Sequence, residues 1–151
     1  IHAVYHASNG GVAAGYDEAW AGPALPYLRP ALDGPAPLVA AFPLPLTAEA
    51  RLVALLRHGD QAYGSSHPLF RWTRHLDRAL IERGLGSAAD SLGRLQQVQV
   101  LERGPSGRVV RLGLRGSAGA LVLERDAIRR TLRGLPSTLF VVRPEGSGSW
   151  R

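Results

Sequence analysis

Between Gly10 and Pro45 the chain meets a structure-breaking residue every few positions, and this tract limits the fold more than any other feature. Gly10-Gly11, Gly22-Pro23, Pro26, Pro30, Gly34-Pro35, Pro37, Pro43 and Pro45 either permit sharp backbone turns or remove amide donors. Neither a helix of several turns nor a long strand fits between them. Residues 9–46 are therefore expected to form a long loop. Tyr16, Trp20, Tyr27 and Phe42 are embedded in it, and a loop that carries large aromatics packs against the body of a protein. Residues 1–8 alternate as a strand that delivers its last side chains to the Gly10-Gly11 turn.

Beyond the loop the pattern becomes regular. Thr47-Ala48-Glu49-Ala50 predicts a capped helix start, with Leu52, Leu55 and Leu56 on one face and Gly59 at its end. Phe70 to Leu76 alternates as a strand, and Asp77 caps a helix through Leu80 and Ile81 that closes at Gly84. Gln96 to Leu101 and Arg108 to Leu114 flank the turn Gly104-Pro105-Ser106-Gly107, the best hairpin signal in the chain. A turn at Gly116 to Gly119 leads to a strand over Leu121 to Leu123. Asp126 to Arg133 follows as a short helix with Ile128 and Leu132 inward and Gly134 beyond it, and Thr138 to Val142 predicts a last strand. The sum is α+β: a mainly antiparallel sheet with two or three short helices packed on it and a long Pro/Gly-rich loop. At 151 residues the chain fits a single domain, 1–151, able to bury roughly 68–70% of its unfolded surface. It divides into strand plus loop (1–46), a helix (47–58) and an α+β core (66–143). Ile1 to Ala7 reads as the inside of a strand, so the chain is expected to be an excerpt of a larger domain.

Charge and composition narrow the partners. All eighteen basic residues are Arg, twelve residues are acidic, and the formal charge is +6. Arginine forks suit carboxylates and phosphates, although an all-Arg set also follows from GC-rich coding. Cysteine is absent, which excludes disulfides and thiolate chemistry and leaves the compartment open. No apolar run reaches eighteen residues, and the longest, Pro35 to Leu46, is broken by prolines, so no membrane span is expected.

Four short segments occur in a specific order: Tyr5-His6-Ala7-Ser8-Asn9-Gly10-Gly11, then Trp20, then Pro26-Tyr27-Leu28-Arg29, then Ser66-His67-Pro68-Leu69-Phe70-Arg71-Trp72-Thr73, closed by Ser137-Thr138-Leu139-Phe140. This order resembles the SpoIID/LytB domain family, sporulation stage II protein D-like and amidase enhancer-like, whose members read "FYHASCGG", "W", "PYLR" and "SPHYRW". The helix over 47–58 interrupts the resemblance and reads as an insertion. The resemblance implies action on bacterial peptidoglycan by lytic transglycosylase-type cleavage, with the catalytic Glu in a "PAEMP"-like motif upstream of this chain. It also implies an extracytoplasmic location, in the periplasm or cell envelope. Some members carry zinc through a Cys where Asn9 stands, and that replacement removes the thiolate. His2 and His6 share one side of the first strand but lack further ligands, so neither metal nor cofactor is expected.

Glycan cleavage of this kind needs a carboxyl group that protonates the leaving oxygen and then serves as base. Asp17 and Glu18 are the only adjacent acids in the loop, and burial of one would raise its pKa, but caps or solvated acids are the ordinary reading. A His6, Ser8 and Asp17 triad has no nucleophile-elbow sequence around it. No catalytic residue is assigned, and the chain alone is expected to be inactive. Sugar recognition needs an aromatic face and fixed hydrogen-bonding groups. Tyr5, Trp20, Tyr27 and Trp72 with Ser8, Asn9 and the backbone of Gly10 and Gly11 supply both; the resemblance implies Tyr5, His6, Ser8, Gly10 and Gly11 as groove positions, and Arg29 and Arg71 are candidates for stem-peptide carboxylates. The partner is expected to be peptidoglycan glycan strands. Alternatively the protein is a non-enzymatic wall-binding accessory that enhances an amidase. A nucleic-acid-binding domain is the remaining alternative; its arginines spread over every segment, so nucleic acid is not the expected partner.

Overall fold

The structure, a computed structural model, describes residues 8–151, so the strand expected over 1–8 lies outside the described residues except for Ser8. The architecture is α+β with antiparallel sheets and short helices. In chain order the elements are β1 (Val12–Ala13), α1 (Tyr16–Ala19), β2 (Ala31–Leu32), α2 (Ala36–Ala41), α3 (Glu49–His58), β3 (Leu76–Asp77), α4 (Arg78–Leu85), α5 (Ala88–Leu92), β4 (Leu95–Arg103), β5 (Val109–Gly116), β6 (Ala120–Glu124), α6 (Asp126–Thr131) and β7 (Ser149–Trp150). Among the described residues no helix is long and apolar enough to cross a membrane.

Strands β4, β5 and β6 form the central sheet, and alternation decides its faces. Val98 pairs with Leu114, Val100 with Leu112, and those two leucines pair in turn with Leu121 and Leu123. That apolar face packs beneath α4, α5 and α6, whose Ile81, Leu92 and Ile128 are fully buried. The opposite face is exposed and mixed, with Arg111 between Glu102 and Glu124 at 3.8 and 3.5 Å and with Leu101 and Val122 open to solvent. A second core gathers Val12, Leu38, Leu46, Leu52, Leu55, Phe70 and Leu139 under the N-terminal half.

The breaker-rich tract is ordered more than its composition predicts. Pro35 and Pro37 stand at the N-cap and second position of α2, where a missing amide costs nothing, so a short helix forms around them. Helix α3 ends at Gly59 as expected, but it begins at Glu49 without a side-chain cap, so Thr47 does not serve. Asp77 caps α4 as read, its Oδ1 accepting from the Leu80 amide at 2.7 Å. The helix nevertheless runs past Gly84 to a C-cap at Gly86. Gly84 is there because a Cβ would come 1.9 Å from the Thr131 carbonyl oxygen of α6.

Two expected strands are corrected. Phe70 to His75 pairs with no strand among the described residues; the carbonyls of Phe70 and Thr73 accept from the side chains of Arg71 and Arg74. Only Leu76–Asp77 pairs, and with Ser149–Trp150. Thr138 to Val142 forms no ladder among the described residues. Its Thr138 carbonyl accepts from the Val109 amide at 2.9 Å, and its Phe140 carbonyl accepts from Arg103 at 2.8 Å.

Glu49 ties α3 to this region through Arg143 at 2.7 Å and Arg103 at 3.1 Å. Burial would raise its carboxyl, but the hydrogen bonds from Arg143 and Arg103 outweigh it and hold the group below its ordinary value of 4.5. The unfolded chain then binds the proton before the folded one does. The stabilisation is complete above the unfolded value and fades as pH falls through the folded one. Glu49 is partly exposed, so the effect is small. Glu49→Gln is expected to flatten the acid side of the stability profile, measured as urea midpoints between about pH 5 and about pH 3.

Candidate functional site

Helix α1 is a single turn, too short to hold itself, so tertiary bonds must place the aromatics it carries. Glu18 supplies them. Its Oε2 accepts from the Gly15 amide at 2.6 Å, and its Oε1 accepts from the Ser106 amide at 2.7 Å in the turn between β4 and β5. The residue is only 2% exposed, so neither bond competes with bulk water. Arg108, on the same turn, donates from Nη1 to the Val12 carbonyl at 2.9 Å and from Nη2 to the Asn9 carbonyl at 3.1 Å. Burial pushes its guanidinium down to about 10, with the Glu18 charge opposing that shift. Leu46 adds an amide bond to the Pro105 carbonyl at 2.8 Å, and Arg125 Nε donates to the Asp17 carbonyl at 2.8 Å. The loop is thus fastened to the sheet at both of its ends.

Tyr16 and Trp20 on this turn stack with ring centroids 5.5 Å apart. Both line a cleft of about 1150 Å³. Tyr27, 64% exposed, and Trp20, 39% exposed, present aromatic surface at it. Trp72 also lines the cleft, while its ring packs on the sheet core 6.3 Å from Phe140. Eight arginines line the cleft, namely Arg29, Arg57, Arg71, Arg74, Arg108, Arg129, Arg143 and Arg151, against one carboxylate, Asp126. Asp126 is held by Arg129 at 3.3 Å and Arg130 at 3.5 Å.

Seven of the residues singled out from sequence meet here: Ser8, Gly10, Trp20, Tyr27, Arg29, Arg71 and Trp72. Tyr5 and His6, like His2, lie outside the described residues. Asn9 and Gly11 do not line the cleft. Asn9 is buried, donating from Nδ2 to Asp33 at 2.5 Å and accepting the Gly11 amide at 2.8 Å. That bond stabilises the turn through Gly10 and Gly11, whose φ values of 69° and 93° suit residues without a side chain.

Arg71 reaches the cleft wall but its fork is occupied. Nε donates to the Leu56 carbonyl at 2.9 Å, Nη1 to Gly10 at 2.9 Å and Phe70 at 3.0 Å, and Nη2 to Leu55 at 3.3 Å. It closes the C-terminal end of α3 and holds the glycine turn. Burial lowers its pKa, with Asp60 opposing. Glu18, read as a candidate acid, has both carboxylate oxygens committed to backbone amides. Sequence reasoning passed over Arg57, because helical spacing set it off the Leu52 and Leu55 face and gave no sign that the cleft lay there.

The fold and this site define an α+β domain with a basic cleft walled by aromatic side chains. Residues 14–151 match the family described as Domain of unknown function (DUF8618), and the chain belongs to that family. No curated protein and no solved structure matches the chain.

Glu18→Gln leaves an amide group facing two backbone donors, of which its single oxygen serves one. It is expected to lower stability by about 1–3 kcal/mol and to speed hydrogen exchange at the Gly15 and Ser106 amides. Arg108→Leu strips the Val12 and Asn9 carbonyls together and is expected to cost about 2–3 kcal/mol by urea unfolding, with Arg108→Lys failing to restore it because one ammonium does not span both acceptors.

Proposed function

We propose that this chain is the glycan-binding part of a SpoIID/LytB-type domain that engages peptidoglycan strands outside the cytoplasm, with any catalytic Glu carried by polypeptide upstream. One observation carries the reading. The segments that gave the resemblance, distant in sequence, converge on one cleft through Ser8 and Gly10, Trp20, Tyr27 to Arg29, Leu69 to Thr73, and Ser137 to Phe140. A cleft of about 1150 Å³ has room for a saccharide. Trp20 and Tyr27 supply faces for pyranose rings, and Ser8 supplies a hydroxyl beside them.

Binding is favoured over cleavage for this chain. Glycosidic cleavage asks for a carboxyl group free to give and take a proton, and the cleft's Asp126 is tied to two arginines. This same observation supports the accessory reading, in which the protein holds wall glycan and a cell-wall amidase acts on it.

The test is co-sedimentation with purified peptidoglycan sacculi. The chain is expected to be retained, Trp20→Ala and Tyr27→Ala each to weaken retention by about tenfold, and no anhydro-muropeptides to be released. Failure of the chain to associate with sacculi under low- and moderate-salt conditions refutes the proposal.

A further inference from the structure

Arginine at a cleft serves a ligand only where its fork is not already spent on the protein. Arg71 and Arg108 are consumed by backbone carbonyls, and Arg74 donates to the carbonyls of Gly134 and Thr73. Arg129, Arg143 and Arg151 are paired with Asp126, Glu49 and Glu145. Arg29 and Arg57 remain: both are exposed, both line the cleft, and neither has a hydrogen-bond or ion-pair partner among the described residues. Arg29 follows Tyr27 on the aromatic wall, and Arg57 stands in the last turn of α3.

We infer that Arg29 and Arg57 are the specificity-determining residues of the cleft, selecting glycan strands that bear carboxylates over neutral glycans of the same sugar backbone. The inference rests on the glycan-binding reading above and adds to it the charge of the ligand and the two residues that read it. A guanidinium meets a carboxylate with two parallel bonds, and neither of these two forks is held in an ion pair by a carboxylate among the described residues, Asp17 and Glu18 near Arg29 included. The aromatic rings contribute affinity for any pyranose, whereas the two arginines contribute only where an anion is present. Discrimination therefore resides in the arginines and general affinity in the rings.

The experiment measures the full chain against three probes of matched length: glycan strands with peptide stems, strands stripped of stems by an amidase, and chitin oligosaccharides, which are neutral. The chain is expected to bind stem-bearing strands about tenfold more tightly than chitin, with a preference that shrinks as salt rises. The double variant R29Q/R57Q is expected to lose that preference while its chitin affinity and thermal midpoint stay unchanged. Stripped strands keep the lactyl carboxylate alone. Intermediate binding there assigns part of the effect to the sugar's own acid, and binding equal to chitin assigns it to the stems; both support the inference. Equal affinity of the unaltered chain for chitin and stem-bearing strands, or a preference that survives in R29Q/R57Q, overturns it while leaving glycan binding intact. Absence of binding to all three probes instead strikes the glycan reading itself.

Discussion

The turn from Gly104 to Gly107 is the point on which the two halves of the molecule depend. Its Ser106 amide is fixed by Glu18, its Pro105 carbonyl by Leu46, its Gly107 carbonyl by Arg103, and Arg108 beside it holds the carbonyls of Asn9 and Val12. A hairpin tip is ordinarily a solvated feature. Here Gly104, Ser106 and Gly107 are buried against the N-terminal half while Pro105 stays exposed, and the buried polar groups must be satisfied because water does not reach them. Charged side chains meet that need better than neutral ones, which is why two of the buried residues at this junction are Glu18 and Arg108 rather than apolar ones.

Two apolar cores flank this seam. The sheet core forms from regular elements whose periodicity places apolar residues on one side. The N-terminal core is assembled from a tract too rich in breakers to bury its surface through secondary structure, so it borrows Leu52 and Leu55 from α3 and Phe70 and Leu139 from passing segments. Those same passing segments, 69–74 and 135–143, run between the cores and form walls of the cleft. The cleft is therefore a product of how the cores are joined.

What could be read from sequence follows from how local each signal is. The β4–β5 hairpin, the Asp77 cap and the inward Ile128 and Leu132 depend on neighbours within a few residues, and each is found where patterning set it. Strands at 70–76 and 138–142 were expected from alternation, which reports an extended backbone but not whether another strand lies alongside. Trp20 and Tyr27 were singled out as aromatic faces and Arg29 as a partner for carboxylates, and all three line the cleft. The burial of Glu18 and the occupation of Arg71 were not legible, since both depend on groups far along the chain, 88 residues away for Glu18 and Ser106.

The seam between the cores has a further meaning for motion. Apolar contacts slide and loosen by degrees, whereas hydrogen bonds to buried charges are directional and are lost together. For the N-terminal half, with the aromatic wall it carries, to lift from the sheet, these bonds would have to break together. Whatever occupies the cleft touches both sides of that joint, and its arrival would act as a clamp across it.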